Sequence, residues 1–182
     1  VFLSFSPILF MPHLLNIWPA VIRRLAGFSR VLLLFDYDGT LMPLGVNPEI
    51  TRLPDKVRLC LRNLAEKERF IVGVVSGREL AELEKLVAIP GLVYVGNHGF
   101  EMSGLGMDFV YSDALEFIES VTTVAGLLEQ ELKSVPELLV CNKRLTLSVH
   151  YRNTPDSYAK EVDRTITSVL EPYVSEGELK II

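Results

Sequence analysis

A short apolar run that ends in two acids constrains this chain more than any other feature. Residues 31–35 are all apolar, which predicts a strand buried on both faces, as in a parallel sheet. Asp36 ends the run, and Asp38 and Gly39 follow it closely. Two neighbouring carboxylates at the carboxyl end of a buried strand repel each other, so we expect a bound cation or a shared proton to offset their charge. A turn that merely ends the strand is the simpler interpretation, but the buried strand before it and Thr40 after it favour a functional site.

Strands and helices alternate along the next part of the chain. Residues 70–75 predict a second buried strand, and residues 92–95 predict a third. Apolar residues at helical spacing predict one helix after Pro54 and another that includes Leu80 and Val87. This alternation is typical of right-handed β-α-β units, so the predicted fold class is α/β with a parallel sheet.

Polar residues follow the second predicted strand at the point where it ends. Ser76, Gly77 and Arg78 combine a hydroxyl, a flexible turn and a guanidinium at the start of a helix. That combination suits the binding of a phosphate oxygen. Taken alone, Ser76 is the more ordinary N-cap of a helix. The functional reading gains weight because adjacent parallel strands would place Ser76 and Asp36 at the same edge of the sheet.

The third predicted strand is followed by a glycine-rich stretch, residues 96–101. It places Asn97, His98 and Glu101 beside Gly99. A turn with a solvent-facing His is the simpler interpretation of this stretch. A second cluster of polar groups at the same sheet edge is the functional one.

After residue 99 the pattern changes to antiparallel strand pairs and helices, which predicts a compact α+β unit. Its predicted strand segments are residues 100–111, 137–141 and 145–151. His150 and Arg152 are two residues apart where this last segment ends, so both would project from one face. An exposed cross-strand pair fits them equally well, and Lys143 by itself would be a solvated surface residue. Residues 179–182 predict the start of another strand.

Composition narrows the classes of function. Of the 182 residues, 49% are hydrophobic and 23% charged, which indicates a globular chain. A net charge of −5 argues against a nucleic-acid partner. Residues 1–22 carry no charge, but Pro7, Pro12 and Pro19 interrupt them and no basic residue precedes them. We therefore expect no signal peptide or membrane anchor, and a cytoplasmic protein.

The first residues form a lead-in to the predicted domain, residues 1–30. Met11 is a plausible natural start, so we expect residues 1–10 to be upstream sequence. From Met11 onward the apolar spacing predicts a short amphipathic helix.

Four motifs together resemble a known enzyme family. The string Asp36-Tyr-Asp-Gly-Thr40 resembles the first motif of the haloacid dehalogenase (HAD) superfamily of phosphohydrolases. Residues 74–78 resemble its second motif, which ends in Ser or Thr. The Gly-Asn-His-Gly-Phe-Glu stretch at 96–101 and the Lys-bearing strand leading to His150-Tyr-Arg are similar to the trehalose-6-phosphate phosphatases within it. One departure is Cys141, where family members often have Glu.

The resemblance implies a fold and a division of the chain. We expect a HAD-like, Rossmannoid parallel core with an inserted α+β cap. The core would begin with residues 31–98, the cap would be residues 99–178, and residues 179–182 would return to the core. The superfamily's third and fourth motifs, a Lys and an acidic pair, would follow the cap and are not in this sequence. We therefore expect a C-terminally truncated core with an exposed apolar face and edge, and little activity from this stretch alone.

The resemblance also implies roles for individual residues. Asp36 would be the nucleophile that forms an aspartyl-phosphate, and Asp38 would be the general acid and base. Mg²⁺ would be held by the Asp36 carboxylate and the Asp38 main-chain carbonyl. The expected phosphate-binding residues are Gly39, Thr40, Ser76, Gly77 and Arg78. The residues expected to line the sugar-phosphate pocket are Asn97, His98, Gly99, Glu101, Lys143 and Arg152.

The expected function is hydrolysis of trehalose 6-phosphate in trehalose biosynthesis, with the sugar phosphate as partner. A trehalose-phosphate synthase partner is left open. Phosphatases of sucrose phosphate or mannosyl-phosphoglycerate are the alternative within the same chemistry. A sugar mutase would use the same acids but would need a phosphate donor. A non-catalytic sugar-phosphate-binding module is the alternative from another class, and a retained pair of crowded acids counts against it.

Overall fold

A computed structural model of the protein describes residues 13–43 and 53–181. The predicted upstream segment 1–10, and most of the loop that follows the acidic motif, lie outside these residues. The helices are α1 (Leu14–Ala26), α2 (Asp55–Ala65), α3 (Leu80–Val87), α4 (Ser112–Leu115), α5 (Ile118–Glu131) and α6 (Ala159–Ser175). The strands are β1 (Val31–Asp36), β2 (Phe70–Val75), β3 (Val93–Gly96), β4 (Glu101–Gly104), β5 (Met107–Val110), β6 (Leu139–Asn142) and β7 (Leu147–His150).

Strands β1, β2 and β3 form the parallel part of a five-stranded sheet in the order β1-β2-β3-β4-β5. The register places Asp36 opposite Val75, and Val75 opposite Val95. The three strands therefore end at the same level, and the loops that follow them meet at one edge. This arrangement confirms the predicted α/β class and the predicted order of the core.

Helices α2 and α3 both cover the same face of this sheet. Leu61 of α2 and Leu83 of α3 pack in one cluster with Val72 and Val74 of β2 and Tyr94 of β3. A β-α-β crossover is right-handed, so two successive crossovers that add strands in the same direction place their helices on the same side. The core of this unit therefore lies on one side of the sheet.

The prediction that β1 is buried on both faces is wrong for the described residues. Leu32 and Leu34 are 56% and 54% exposed, whereas Val31, Leu33 and Phe35 are half-buried on the helical side. The reason is the position of β1 at the end of the strand order, with α2 and α3 covering only the other face. Among the described residues, Leu32 and Leu34 thus leave part of an apolar face of β1 exposed.

Helix α1 forms where the apolar spacing predicts it, but it buries none of its residues. Trp18 is 44% exposed, and Pro19 lies inside the helix. The helix is tied to the sheet by Arg69, whose Nη2 donates to the carbonyl of Leu25 at 2.6 Å. Within residues 13–43 and 53–181, no helix combines the length and the apolar character needed to cross a membrane.

The first antiparallel hairpin belongs to the main sheet, which differs from the predicted grouping. We expected β4 and β5 to form the α+β unit together with the second strand pair. In the structure β4 pairs with β3, with Glu101 opposite Gly96, and so extends the parallel sheet. The reason is the very short Asn97–Gly99 turn, which returns the chain beside β3 at once. The predicted boundaries at residues 98 and 178 stay predictions.

The second unit is built from β6, β7, α5 and α6. The two strands form a separate antiparallel ladder, and the helices supply a core of their own. The fully or nearly buried residues of this core are Val124, Leu128, Leu132, Val135 and Val162. The strand predicted at 179–182 is absent over residues 179–181, and Leu179 packs against this core instead.

The second core offers a direct test of the fold. Leu128 is fully buried and Leu127, its neighbour in α5, is 41% exposed. We expect Leu128→Ala to lower the free energy of unfolding by about 2–5 kcal/mol, because it leaves a cavity, and Leu127→Ala to change it by about 0.5 kcal/mol or less. Urea unfolding followed by circular dichroism measures both variants. Equal losses in the two would contradict the assignment of the buried face.

Candidate functional site

The acidic motif folds into a tight turn at the end of β1. Tyr37, between the two acids, is fully buried, so Asp36 and Asp38 lie on the solvent side of it. Gly39 has a φ of +89°, a conformation that strains other residues, and its N–H donates to the Met42 carbonyl at 2.7 Å. The turn therefore fixes both carboxylates at the sheet edge while keeping them within reach of a ligand.

Asp38 is held by a forked ion pair with Arg78. The Nε and Nη2 atoms of Arg78 donate to the two Asp38 carboxylate oxygens, each at 2.9 Å. Arg78 is nearly buried, its Nη1 also donates to Glu82, and its Cζ lies 5.5 Å from the Tyr37 ring centroid. The hydrogen bond with Asp38 raises the pKa of Arg78. A two-point contact of this kind fixes the carboxylate in direction as well as in place.

Ser76 lies beneath this pair. It is 3% exposed, and its Oγ accepts the Arg78 backbone N–H at 3.2 Å and lies 3.4 Å from an Asp38 carboxylate oxygen. On the other side of the turn, the Thr40 hydroxyl donates to Asp36 at 3.3 Å. The predicted phosphate-binding residues Ser76, Gly77, Arg78, Gly39 and Thr40 thus surround the two acids. The guanidinium is engaged by carboxylates in this arrangement, so its contact with phosphate stays a prediction.

The Asn97–Gly99 turn after β3 is tied to the 76–78 loop by its backbone. The N–H of Asn97 donates to the Arg78 carbonyl at 2.7 Å, and the N–H of His98 donates to the Ser76 carbonyl at 3.1 Å. Asn97 and His98 both have left-handed backbone conformations, with φ of +47° and +56°. Two adjacent loops are thereby joined into one rigid rim. His98 and Gly99 are exposed on it, whereas Asn97 is fully buried.

Glu101, predicted to line a sugar pocket, is 5% exposed and fully paired inside the protein. One carboxylate oxygen accepts the Leu80 N–H at 3.1 Å, at the start of α3, and the Asn97 amide at 2.9 Å. Its other oxygen lies 3.5 Å from a guanidinium nitrogen of Arg144. A carboxylate at a helix N-terminus is well placed to satisfy an unpaired N–H group.

Lys143 reaches the rim from the second unit. Its Nζ donates to the Gly77 carbonyl and to the Ser148 hydroxyl, both at 2.8 Å. Burial lowers the pKa of Lys143. The structure therefore brings this side chain to the 76–78 loop rather than leaving it on an open surface.

Arg152 lies farther out, beside a cavity of about 400 Å³ that His150, Tyr151 and Asp156 also line. The strand was predicted to run to residue 151, but β7 ends at His150, so Arg152 lies in the following turn. Burial, together with the charge of Lys143, lowers the pKa of His150. His150 and Arg152 thus share a cavity although they do not share a strand.

Several partners of the site residues were not found by sequence reasoning. They are Tyr37, Glu82, Arg144, Thr146 and Ser148. Glu82 carries a usable signal, because it lies four residues after Arg78 and α3 begins between them. The others are contacts across the fold that no local spacing indicates.

These residues can bind a divalent cation only if water or substrate supplies the rest of its ligands. Over residues 13–43 and 53–181, no three His, Cys, Asp or Glu side chains are grouped to hold a metal ion. Mg²⁺ commonly uses one or two carboxylates and completes its shell with water and substrate phosphate. The exposed Asp36 carboxylate and the main chain at Asp38 fit such a site, while the Asp38 side chain is engaged by Arg78. The residues are therefore compatible with a phosphate-bound Mg²⁺.

Comparisons with known proteins point to one family. A family model described as Trehalose-phosphatase matches residues 34–177. The trehalose-phosphate phosphatase of Mycobacterium avium (strain 104) is 38% identical over 129 residues, which are 70% of this chain and 32% of that protein. Trehalose-phosphate phosphatase B of Arabidopsis thaliana is 25% identical over 171 residues, 89% of this chain and 45% of that protein. The chain thus spans less than half of each of these two relatives.

Solved structures support the fold. The C-terminal domain of C. albicans trehalose-6-phosphate phosphatase matches with a TM-score of 0.71 at 23% identity, covering 87% of this chain and 55% of that one. A trehalose-6-phosphate phosphatase related protein matches with a TM-score of 0.70 at 21% identity, covering 79% of this chain and 62% of that one. At these identities the likeness is one of architecture.

The rim depends on a close approach between β3 and α3, which can be tested. A Cβ atom added to Gly96 would lie 2.6 Å from the backbone N of Leu80 and 2.7 Å from its Cα, whereas one added to Gly126 in α5 would meet nothing within 4 Å. We expect Gly96→Ala to lower the free energy of unfolding by about 1–3 kcal/mol and Gly126→Ala to raise it by about 0.5–1 kcal/mol. Thermal or urea unfolding measures both, and an unchanged Gly96→Ala variant would contradict the packing described.

Proposed function

The chain belongs to the trehalose-phosphatase family, and from that premise we propose that the full protein hydrolyses trehalose 6-phosphate to trehalose and phosphate. The observation that supports this most is the meeting of Asp36 and Asp38 with Ser76 and Lys143 at one sheet edge. Carboxylates beside groups that bind anions are the parts that phosphoryl transfer needs. The proposal includes a role in trehalose biosynthesis.

In this proposal Asp36 is the nucleophile. A carboxylate oxygen of Asp36 attacks phosphorus while the bond from phosphorus to the sugar oxygen breaks, which leaves an aspartyl-phosphate. Water then attacks the same phosphorus, the bond to Asp36 breaks, and phosphate is released. The exposure of Asp36 at the end of β1 supports this role, because a substrate can reach the carboxylate. The covalent step divides one difficult displacement into two easier ones.

Asp38 moves the proton in both steps. It donates a proton to the departing sugar oxygen in the first step and accepts one from the attacking water in the second. The forked contact with Arg78 fixes the direction in which the ionised Asp38 oxygens point. In the proposed first step one Asp38 oxygen leaves this fork as the substrate phosphate engages Arg78, and it then carries the proton that passes to the sugar oxygen. Arg78 acts here as a positioning residue.

The charge of the phosphoryl group must be offset as it moves. Mg²⁺, when bound, would be held by the Asp36 carboxylate and the Asp38 main-chain carbonyl and would neutralise part of this charge. The chain itself contributes the Ser76 hydroxyl and the backbone N–H of Thr40 as donors to phosphate oxygens, while the Gly39 N–H holds the turn through the Met42 carbonyl. The partly buried ammonium of Lys143, seated on the Gly77 carbonyl, adds positive charge on the side of the second unit.

The second unit would supply recognition of the sugar. Arg152 and His150 line a cavity of about 400 Å³, which is large enough for sugar hydroxyls to be bound. His98 and Gly99, exposed on the rim, are proposed contacts on the core side. Closing this unit over the sheet edge would exclude bulk water. A synthase partner and a cytoplasmic location stay predictions.

The two acids give the sharpest test of the chemistry. In the full-length protein we expect Asp36→Asn to reduce phosphate release to background, because the nucleophile is lost. We expect Asp38→Asn to lower kcat by about 10²–10⁴-fold, because general acid and base catalysis is lost. Asp108→Asn is the matched control, since Asp108 is an exposed carboxylate on the outer strand β5, opposite Ser103. Normal turnover by Asp36→Asn would contradict the mechanism.

The cation can be tested separately. Dialysis against EDTA is expected to remove phosphatase activity, and Mg²⁺ is expected to restore it, because Asp36, Asp38 and the phosphoryl group together carry more negative charge than Lys143 offsets. Phosphate release with and without added MgCl₂ measures this. Full activity after exhaustive chelation would argue against the cation.

A panel of substrates separates the proposed function from its alternatives. Trehalose 6-phosphate is expected to be hydrolysed in preference to sucrose phosphate and mannosyl-phosphoglycerate. Preference for either of those would reassign the substrate. Binding of the sugar phosphates without phosphate release would indicate a non-catalytic binding module.

A further inference from the structure

A single buried side chain joins the second unit to the catalytic edge of the sheet. The β6–β7 turn, residues 143–146, rests on the core through Asn97. The Asn97 amide nitrogen donates to the Lys143 carbonyl at 3.1 Å, and its amide oxygen accepts from the Thr146 hydroxyl at 2.7 Å. The same nitrogen also donates to Glu101 at 2.9 Å. Both amide donors of Asn97 are thereby used inside the protein.

These hydrogen bonds argue against a role for Asn97 in binding the sugar. The resemblance to the family placed it among the residues that line the sugar pocket. In the structure it is fully buried, and a ligand would have to displace Glu101 or the β6–β7 turn to reach its amide donors. Its geometry matches a connection between two parts of the protein better than a contact with sugar.

Asn97 also contacts the 76–78 loop. The backbone N–H of Asn97 donates to the carbonyl of Arg78, whose guanidinium holds Asp38. On the other side, the β6–β7 turn carries Lys143, whose Nζ donates to the Gly77 carbonyl. One residue therefore contacts both the loop that orients the general acid and the turn that delivers the ammonium.

Glu101 holds Asn97 in this place. Its carboxylate accepts from the Asn97 amide and from the first N–H of α3, and its other oxygen faces Arg144 of the β6–β7 turn. A buried carboxylate with three partners on three elements has little freedom to move. Glu101 thus fixes the direction of the amide that the turn must meet.

We propose that Asn97 is a positioning residue that seats the β6–β7 turn on the 76–78 loop and thereby sets Lys143 over the phosphate site. The proposal rests on the proposed function for its effect on catalysis. Its structural part, the seating of the turn, stands independently of that function. When the turn leaves, the amide of Asn97 loses two partners at once, so the seated state is favoured as a unit.

Thr146→Val in the full-length protein is the test, because it keeps the shape of the side chain and removes only the hydroxyl donor. The backbone N–H groups of Lys143 and Leu145 bond within the turn and report its order. We expect their hydrogen exchange to accelerate by roughly 3- to 10-fold. Thr146→Ser is expected to restore the slow exchange. Thr167→Val is the matched control, since the Thr167 hydroxyl bonds only the Asp163 carbonyl within α6.

Kinetics then tests the consequence for Lys143. For Thr146→Val we expect KM for trehalose 6-phosphate to rise by roughly 3- to 10-fold, because the ammonium is less often in place. The KM for p-nitrophenyl phosphate, a small ester that does not fill the sugar cavity but presents the same phosphate group, is expected to rise by a similar factor, because Lys143 acts at the phosphate site. Thr146→Ser is expected to behave normally with both substrates.

The outcomes separate the two proposals. Unchanged exchange at the turn in Thr146→Val overturns the seating role, whatever the kinetics show. Faster exchange with an unchanged KM for both esters overturns the link to Lys143, and so does a loss that Thr146→Ser fails to restore, since a general loss of structure would produce it. If the unaltered protein releases no phosphate from either ester, the proposed function fails, and the exchange data alone decide the seating role.

Discussion

The parallel register of β1 and β2 is the constraint on which the rest of the site depends. Because Asp36 lies opposite Val75, the residue after each strand falls on one edge, and Asp38 comes within reach of the Arg78 fork. Parallel pairing needs a crossover helix, and right-handed crossovers put α2 and α3 on the same face. The site therefore lies at the end of a sheet that helices cover on one face. Backbone pairing between the strands determines where its charged residues lie.

Local patterns were sufficient to predict this framework. Five apolar residues before Asp36, and a second run ending at Val75, place the strand ends correctly because a short apolar run favours a strand and the polar residues that follow it end the strand. Helices α2 and α3 follow from apolar spacing in the same way. The motifs at 36–40, 76–78 and 96–101 could be assigned to one edge because parallel strands leave no other place for them.

What could not be predicted depends on partners distant in sequence. The exposure of Leu32 and Leu34 follows from strand order, which no property of β1 itself encodes. The hairpin β4–β5 would have the same alternating sequence pattern in the main sheet or in the second unit. The short turn before β4 determines that it pairs with β3. Arg78 is equally suited to a phosphate and to a carboxylate, so its pairing with Asp38 could be learned only from the structure.

Asp38 and Lys143 are held at the sheet edge by contacts of two different kinds. Asp38 is held by Arg78 and Ser76, which both lie in the loop after β2 of the main sheet. Lys143 reaches the same edge through hydrogen bonds that join two separately packed cores. Contacts of this kind exchange readily with water, whereas each core must stay packed. Under the proposed function, this difference would let the acids stay oriented while Lys143 engages and releases a charged ester.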